Sequence, residues 1–198
     1  MNLFKNLFSS KKTPKHKAED ETTKKTEQLA LDDNFVHHFI KNEGKFLYCT
    51  SQEEINQNLA NIFEENAWTT SLCFNSDLQK MLFVTGVKSV EKQTSLTPFF
   101  TTCENLIAKD GSLLFTSNQL KGITLSELPI HFIVFAKTSQ IVSNNDDALM
   151  SIKNLYKKNI PSNISPIKHF NPNKKSNDIM NYSNTNSKNL YLLLLEDL

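Results

Sequence analysis

Hydrophobic and polar positions alternate along this chain in blocks that predict an α/β fold. Apolar runs typical of strands in the interior of a sheet occur at "KFLYC", "IHFIVFA" and "NLYLLLLEDL". Between the first two, "INQNLANIF" places Ile55, Leu59, Ile62 and Phe63 on one stripe of a helix. Strands that alternate with helices in this way predict an open, mostly parallel sheet with helices on both faces.

Weaker patterns add further elements to this prediction. The runs "SLCF", "GVKSVE", "SLLFT" and "SQIV" favour strands, whereas "SDLQKML" favours a capped helix and "NLIA" resembles a short helical run. The segment "NNDDALMSIKNLYKKN" predicts a helix with Leu149, Ile152, Leu155 and Tyr156 on its apolar face, and "KKSNDIMNY" predicts another short helix. Ser51 and Glu54 have the spacing of a capping box ahead of the helix that contains Ile55.

The beginning of the chain differs in character from the rest. Residues 9–29 are polar and rich in lysine, so we expect a flexible linker that cannot bury enough surface to fold. Ahead of it, Leu3, Phe4, Leu7 and Phe8 fit one side of a two-turn helix, which is either a frayed terminus or a short docking segment. We therefore predict an arm and linker over residues 1–31 and one α/β domain over residues 32–198.

The first helix of the predicted domain has recognisable limits. Asp32 or Asp33 fits its N-cap, and Gly44 is expected to end it. Its buried side is expected to consist of four apolar residues: Phe35, Val36, Phe39 and Ile40.

Composition restricts the kinds of ligand and partner. The net charge is +1 and there is no basic stripe, which argues against nucleic acid as the main partner. All 22 residues of the Lys and Arg class are lysines, so an anion must be bound by lysine or by backbone N–H groups. No apolar run is long enough to span a bilayer and no secretory signal is recognisable, so we expect a cytoplasmic protein.

Cysteine placement predicts reduced thiols in the core. Cys49, Cys73 and Cys103 are far apart and lie in apolar sequence. There is no Cys-x-x-Cys pair, so neither an iron–sulfur cluster nor another metal site is expected in this chain.

The stretch "CENLIAKDGSLLFTSNQ" is the most informative candidate for binding. Lys109 and Asp110 flank a turn at Gly111, which either presents main-chain N–H groups to an anion or is a structural turn with a solvated Lys–Asp pair. Thr116 and Ser117 follow a strand and are expected at its carboxyl end, where ligands of open α/β sheets bind. His131 at the start of a later strand is either a satisfied core histidine or a general acid or base.

The order of these blocks resembles the lactate-utilisation (LUD) domain family. The similarity runs from "CENLIAKDGSLLFTSNQ" through "LSELPIHFIVFAKTSQIVSNNDDAL" and "NPNKKSNDIM" to the closing "LYLLLLED". The residues that fall on the family pattern are Ala108, Gly111, Ser112, Leu128, Pro129, His131, Ile141, Val142, Asp178 and Ile179. The chain departs from the pattern at Lys109, where the family has an acidic residue, at Lys174 or Lys175, where it has arginine, and at "TNS", where it has His-Gly-Pro.

The resemblance implies a fold like that of the sugar-isomerase and CoA-transferase-like group. It also implies a role in the oxidation of L-lactate to pyruvate alongside other lactate-utilisation proteins that carry iron–sulfur clusters, with no redox cofactor in this chain. We therefore expect an accessory subunit that acts as a docking or small-carboxylate-binding module. The expected ligand-binding residues are Lys109, Asp110, Gly111, Ser112, Thr116, Ser117, His131, Lys175 and Asp178.

Two alternatives remain open at this point. One is a stand-alone enzyme that acts on a sugar phosphate or an acyl-CoA, with Asp110 or His131 as general acid or base. The other is a structural scaffold whose binding pocket has decayed, which the altered "TNS" segment favours.

Overall fold

A computed structural model describes residues 21–92, 97–173 and 186–197, and for residues 21–29 it describes the backbone alone. The helices are α1 (Glu21–Lys41), α2 (Gln52–Glu65), α3 (Ser76–Val84), α4 (Ser117–Leu120) and α5 (Asn145–Tyr156). The strands are β1 (Lys45–Cys49), β2 (Thr70–Leu72), β3 (Lys88–Val90), β4 (Phe99–Thr102), β5 (Asn105–Ile107), β6 (Ser112–Phe115), β7 (His131–Lys137), β8 (Ile141–Val142), β9 (Ser165–Ile167) and β10 (Asn189–Leu195).

Within the described ranges, the strands form two sheets. The first has six strands in the order β1-β10-β7-β4-β2-β3, and every pair of neighbours is parallel. The second has four strands in the order β8-β5-β6-β9, of which only β5 and β8 run parallel. The predicted open parallel sheet is confirmed, whereas the second sheet was not predicted.

Apolar side chains bury both faces of the parallel sheet. On one face, α2 and α3 pack against the sheet through a cluster that includes Leu59, Leu82 and Ile133. On the other face, α1 and the second sheet share a larger cluster that includes Phe39 and Phe132. A third, small cluster joins α5 to the outer side of the second sheet. Helices therefore lie on both faces of the parallel sheet, as the pattern predicted.

Helix α2 follows its sequence signals closely. Its N-cap is Ser51, whose side chain accepts a hydrogen bond from the backbone N–H of Glu54. The four stripe residues, Ile55, Leu59, Ile62 and Phe63, are all buried. None of the helices within the described part of the chain is long and apolar enough to cross a lipid bilayer.

Helix α1 departs from its prediction at both ends. It begins at Glu21 rather than at a cap on Asp32 or Asp33, so part of the expected linker is helical, and Asp32 is buried within the helix. Ile40, expected in the core, is 54% exposed. Glu43 rather than Gly44 takes the left-handed conformation after the helix, with a φ of 68°.

Other predicted elements changed type or lie outside the described residues. The run "NLIA" forms strand β5 instead of a helix, and "SQIV" is a 3-10 turn followed by the two-residue strand β8. Leu149 and Leu155 are exposed, because α5 uses Ala148 and Ile152 to contact the second sheet. The segment from Leu3 to Phe8 and the helix predicted at "KKSNDIMNY" lie outside the described residues.

Gly111 lies in direct contact with the backbone of α1. A Cβ atom at this position would lie 2.4 Å from the backbone N of Phe39 and 2.6 Å from the carbonyl carbon of His38. Gly111 also has a φ of 71°, which L-residues with side chains rarely adopt. Glycine is therefore required here both by the conformation of the turn and by the lack of space.

Two hydrogen bonds join this turn to the end of α1. His38 Nδ1 lies 3.1 Å from the carbonyl oxygen of Ala108, and Asn42 Nδ2 donates to the carbonyl oxygen of Asp110 over 2.7 Å. The turn between β5 and β6 thus holds the last turn of α1 against the second sheet.

Replacement of Gly111 by alanine should destabilise the fold more than the same change at Gly86. Both glycines have positive φ, which costs alanine about 1–2 kcal/mol, but no heavy atom lies within 4 Å of a Cβ at Gly86. Overpacking against α1 should add about 1–3 kcal/mol at Gly111. Urea unfolding of Gly111→Ala and Gly86→Ala measures the difference; equal losses would show that the contact with α1 contributes nothing.

Candidate functional site

Three neighbouring parallel strands begin at the same edge of the first sheet. Lys45, His131 and Asn189 are the first residues of β1, β7 and β10. The register pairs Asn189 with His131 and Lys45 with Tyr191. Because adjacent strands lie about 4.8 Å apart, these residues come together although they are distant in sequence.

A pocket of about 400 Å³ opens at this amino edge. Its lining combines an ammonium, a carboxylate, an imidazole and three side-chain amides with a few apolar groups. The lining residues are Glu43, Lys45, Ile130, His131, Phe170, Asn171, Pro172, Asn173 and Asn189. We refer to it as the amino-edge pocket.

The end of α1 builds one wall of the pocket. The backbone N–H of Gly44 donates to the carbonyl oxygen of Phe39 over 3.0 Å, which closes the helix and leads directly into Lys45. Asn42 accepts from the backbone N–H of Phe170 over 3.1 Å, and Asn171 Nδ2 donates to Glu43 Oε2 over 2.5 Å. These bonds fix the segment around Phe170 beside the start of β1.

The end of α2 places an aromatic ring against His131. Ala67 takes a left-handed conformation with a φ of 53°, and the backbone N–H of Trp68 then donates to the carbonyl oxygen of Phe63 over 2.9 Å. The ring centroids of Trp68 and His131 are 5.1 Å apart. Trp68 thereby covers part of the imidazole and restricts its orientation.

Tyr191 holds the ammonium group of Lys45. Lys45 Nζ donates to the Tyr191 hydroxyl over 2.7 Å and lies 4.1 Å from the centroid of that ring. Asn66 Nδ2 donates to the same hydroxyl over 3.2 Å. Since an ammonium group has three N–H bonds, Lys45 can still donate to a ligand.

The surroundings of His131 favour the uncharged form of its imidazole. Partial burial lowers the pKa of its imidazole below the usual value, and the positive charge of Lys45 lowers it further. Asn189 Nδ2 lies 3.1 Å from His131 Nδ1, so the ring also has a fixed hydrogen-bond partner. Among the described lining residues, the pocket therefore combines the ammonium group of Lys45 with an imidazole whose uncharged form is favoured.

A buried lysine holds the segment that leads into His131. Lys188 is 2% exposed, and its Nζ donates to the carbonyl oxygens of Leu128 and Pro129 over 2.9 and 3.0 Å. Burial lowers the pKa of this ammonium group to about 8. These bonds hold the Leu128–Pro129 segment, two residues before His131 begins its strand.

The predicted residues of the Gly111 turn bond mainly to the protein itself. Gly111 N–H donates to the Ile107 carbonyl oxygen over 2.8 Å, and Ser112 donates from N and Oγ to Asp110 Oδ1. Burial alone would raise the pKa of Asp110, but the bonds from Ser112 and the Lys168 ammonium 3.3 Å away lower it. The side chain of Lys109 lines a separate hollow of about 590 Å³ beside the start of α5.

Thr116 and Ser117 follow the carboxyl end of the predicted strand. They come after β6, which belongs to the second sheet rather than to the parallel one, so the rule for ligand sites in open parallel sheets does not apply to them. Thr116 is buried and donates to Glu104 Oε1 over 2.8 Å, and Ser117 Oγ accepts from the backbone N–H of Ser162. Lys175 and Asp178 lie outside the described residues.

Of the predicted residues within the described part of the chain, only His131 lines the amino-edge pocket. The structure groups Asp110, Gly111 and Ser112 in one turn and places Thr116 and Ser117 at the other end of β6. Lys45, Asn189 and Trp68 were not predicted. Lys45 directly follows the helix-ending Gly44 and begins a predicted strand, but only the strand order shows that it lies near His131.

The three cysteines do not form a ligand set for a cluster. Cys103 belongs to the core on the α1 side of the parallel sheet, whereas Cys49 and Cys73 belong to the core on the α2 side. Burial raises the pKa of all three thiols, in the case of Cys73 to about 11. A cluster needs several thiolates that converge on one point, and these thiols do not converge.

Comparisons with known proteins agree with this architecture. A family model described as the LUD domain matches residues 87–195. A crystal structure of a DUF162 family protein from Deinococcus radiodurans is similar in fold, with a TM-score of 0.60 and 12% sequence identity. The match covers 86% of this chain and 98% of that one. A search of curated proteins found no match.

Replacement of Lys45 by methionine should raise the pKa of His131. The change removes the nearby positive charge and leaves the burial, so the pKa should move toward the usual value without reaching it. A pH titration of the ring C–H signals in two-dimensional NMR measures the shift. Lys80→Met, on the exposed side of α3, is the matched control and should leave the titration unchanged.

The lowered pKa of His131 also makes the stability of the fold depend on pH. Since the folded pKa of His131 lies below the unfolded value, the unfolded chain binds more protons between the two values. Stability from this residue is therefore lost as the pH falls through that window, and Lys45→Met should reduce the loss. An unchanged His131 titration in Lys45→Met would contradict the electrostatic coupling.

Proposed function

This chain belongs to the LUD domain family, the lactate-utilisation domain proteins, and we propose that it is an accessory subunit of a lactate-oxidising iron–sulfur system. In this proposal the amino-edge pocket binds a small carboxylate, and the clusters that carry electrons belong to partner proteins. The observation that carries the proposal is the convergence of Lys45, His131 and Asn189 at the start of three neighbouring strands.

The chemistry of the pocket suits a small carboxylate. Lys45 supplies a positive charge and free N–H bonds, which form charge-assisted hydrogen bonds with carboxylate oxygens. The volume of about 400 Å³ is at the small end of the range for ligand sites. Glu43 also lines the pocket, but its carboxylate accepts from Asn171, which keeps that wall in place.

The placement of the cysteines supports an accessory role rather than a role as the electron carrier. Its three thiols are buried on opposite sides of the parallel sheet, so they do not fit an iron–sulfur cluster. An oxidation of lactate removes two electrons, which must pass to a redox centre. We therefore assign the redox centre to partner proteins and the binding of the carboxylate to this chain.

Carboxylate binding should depend on Lys45. Propionate, L-lactate and pyruvate are each titrated into the purified full chain by calorimetry and by ligand-observed NMR. Loss of a charged hydrogen bond in Lys45→Met should weaken binding about tenfold or more, while Lys80→Met should bind as the unchanged chain does. If none of the three acids binds, or if Lys45→Met binds them equally well, the pocket assignment is wrong.

The accessory role should be visible as a stable complex. Tagged full-length chain is purified without oxygen from source cells grown on L-lactate, beside a variant that lacks residues 1–20 and so keeps α1 whole. A partner that contains iron and labile sulfide should co-elute in a fixed ratio, and loss of that partner on truncation would assign docking to the Leu3–Phe8 segment. Elution alone in both forms, with turnover of a sugar phosphate or acyl-CoA, would support the enzyme alternative instead.

A further inference from the structure

The hydrogen bond between Asn189 and His131 determines which nitrogen of the imidazole carries the proton. Asn189 Nδ2 is an amide nitrogen that only donates, and it lies 3.1 Å from His131 Nδ1. With this amide nitrogen as the donor, Nδ1 accepts, which assigns the proton of the neutral ring to Nε2. Within the described part of the chain no residue accepts a hydrogen bond from Nε2, and His131 lines the amino-edge pocket.

The charged groups around the ring keep it in this form. Lys45 opposes protonation of the imidazole, and Trp68 covers part of the ring. Glu43 is the acidic residue of the pocket lining, and one of its oxygens is taken by Asn171. The ring consequently presents an N–H donor, and not a basic lone pair, to whatever occupies the pocket.

The position of this proton distinguishes two oxidation states of the same carboxylic acid. The oxygen next to the carboxylate in a 2-oxo acid only accepts hydrogen bonds, so it pairs with both Lys45 and the Nε2–H group. In a 2-hydroxy acid that oxygen carries a proton of its own, which neither Lys45 nor the Nε2–H group can accept. A hydroxyl whose proton faces these two donors in a partly buried site loses part of the hydrogen bonding that it has in water.

We propose that Asn189 is a specificity-determining residue that fixes His131 as the Nε2–H form, so that the pocket takes 2-oxo carboxylates in preference to 2-hydroxy carboxylates. This inference rests on the proposed function, because it assumes that the amino-edge pocket binds a small carboxylate. For the lactate–pyruvate pair, the subunit would therefore bind pyruvate, the oxidised acid, more tightly than lactate. Asn189 acts through His131 and is a positioning residue.

Two measurements on the full chain test the inference. The first is the ¹⁵N NMR spectrum of the imidazole without ligand, which distinguishes the Nε2–H form from the Nδ1–H form. The second is the ratio of the dissociation constants of L-lactate and pyruvate at pH 7.5. We expect the Nε2–H form and a threefold to tenfold preference for pyruvate, roughly the effect of one imperfect hydrogen bond.

Asn189→Asp is the informative variant. Its carboxylate can only accept, so it should draw the proton to Nδ1 and leave Nε2 as an acceptor for the lactate hydroxyl. The added negative charge weakens the binding of both acids, but the ratio should invert toward L-lactate. Asn61→Asp adds the same charge at an exposed position on α2, outside the lining of the amino-edge pocket, and it should keep the preference for pyruvate. Thermal melting confirms that each variant is folded.

The outcomes separate this inference from the function on which it rests. If neither acid binds the unchanged chain, the proposed function fails and the preference fails with it. If both acids bind but with equal affinity, or with lactate tighter, the function stands and the inference is overturned. An Nδ1–H signal in the unchanged chain, or an unaltered ratio in folded Asn189→Asp, also overturns it.

Discussion

The close approach of α1 to the turn at Gly111 is the constraint on which the arrangement of this domain depends. The backbone of Phe39 lies where a side chain at Gly111 would have to be, and the ring of Phe39 occupies the space beside Gly44 in the same way. That ring is fully buried and lies 4.6 Å from the centroid of Phe170. Two of the four glycines in the chain are thus needed because one helix passes close to two turns.

The contact between α1 and the Gly111 turn also positions residues of the amino-edge pocket, because the end of α1 forms one wall of that pocket. Because the helix ends against the Gly111 turn, Glu43 and Lys45 have fixed positions at the start of β1, and Asn42 holds the backbone of Phe170. The same edge receives Trp68 from the end of α2. Gly111 therefore contributes to the pocket through its packing against α1. Its backbone N–H, which the sequence analysis considered as an anion ligand, donates to the carbonyl oxygen of Ile107 instead.

Much of the fold could be predicted from the sequence because local signals coincide with global packing. The stripe of α2, its Ser51 cap and the long apolar strand β10 are all determined by short-range spacing. The second sheet could not be predicted, since β5 and β9 have three residues each and gain stability only from their neighbours. The start of α1 was missed because its first residues are polar and carry no apolar stripe.

The site was harder to predict than the fold, for a topological reason. Lys45, His131 and Asn189 are widely separated in sequence, and only the order β1-β10-β7 brings them to one edge. His131 alone could be identified, since a histidine at the start of an apolar strand is unusual enough to be noticed. The rule that ligands bind at carboxyl ends directed attention to Thr116 and Ser117 instead.

The polar side chains beyond the carboxyl ends of the strands largely bond to one another. Glu104, just after β4, accepts from Thr116 and Tyr156, and Asp197, just after β10, accepts from Ser139. Such bonds stabilise the loops at that edge and leave those groups less able to bind a ligand. At the amino edge, by contrast, the ammonium group of Lys45, with unused N–H bonds, lies beside the imidazole of His131, whose pKa is lowered. Since a binding site requires hydrogen-bonding capacity that the fold itself does not use, the described residues of the amino edge suit a ligand better than those at the carboxyl ends.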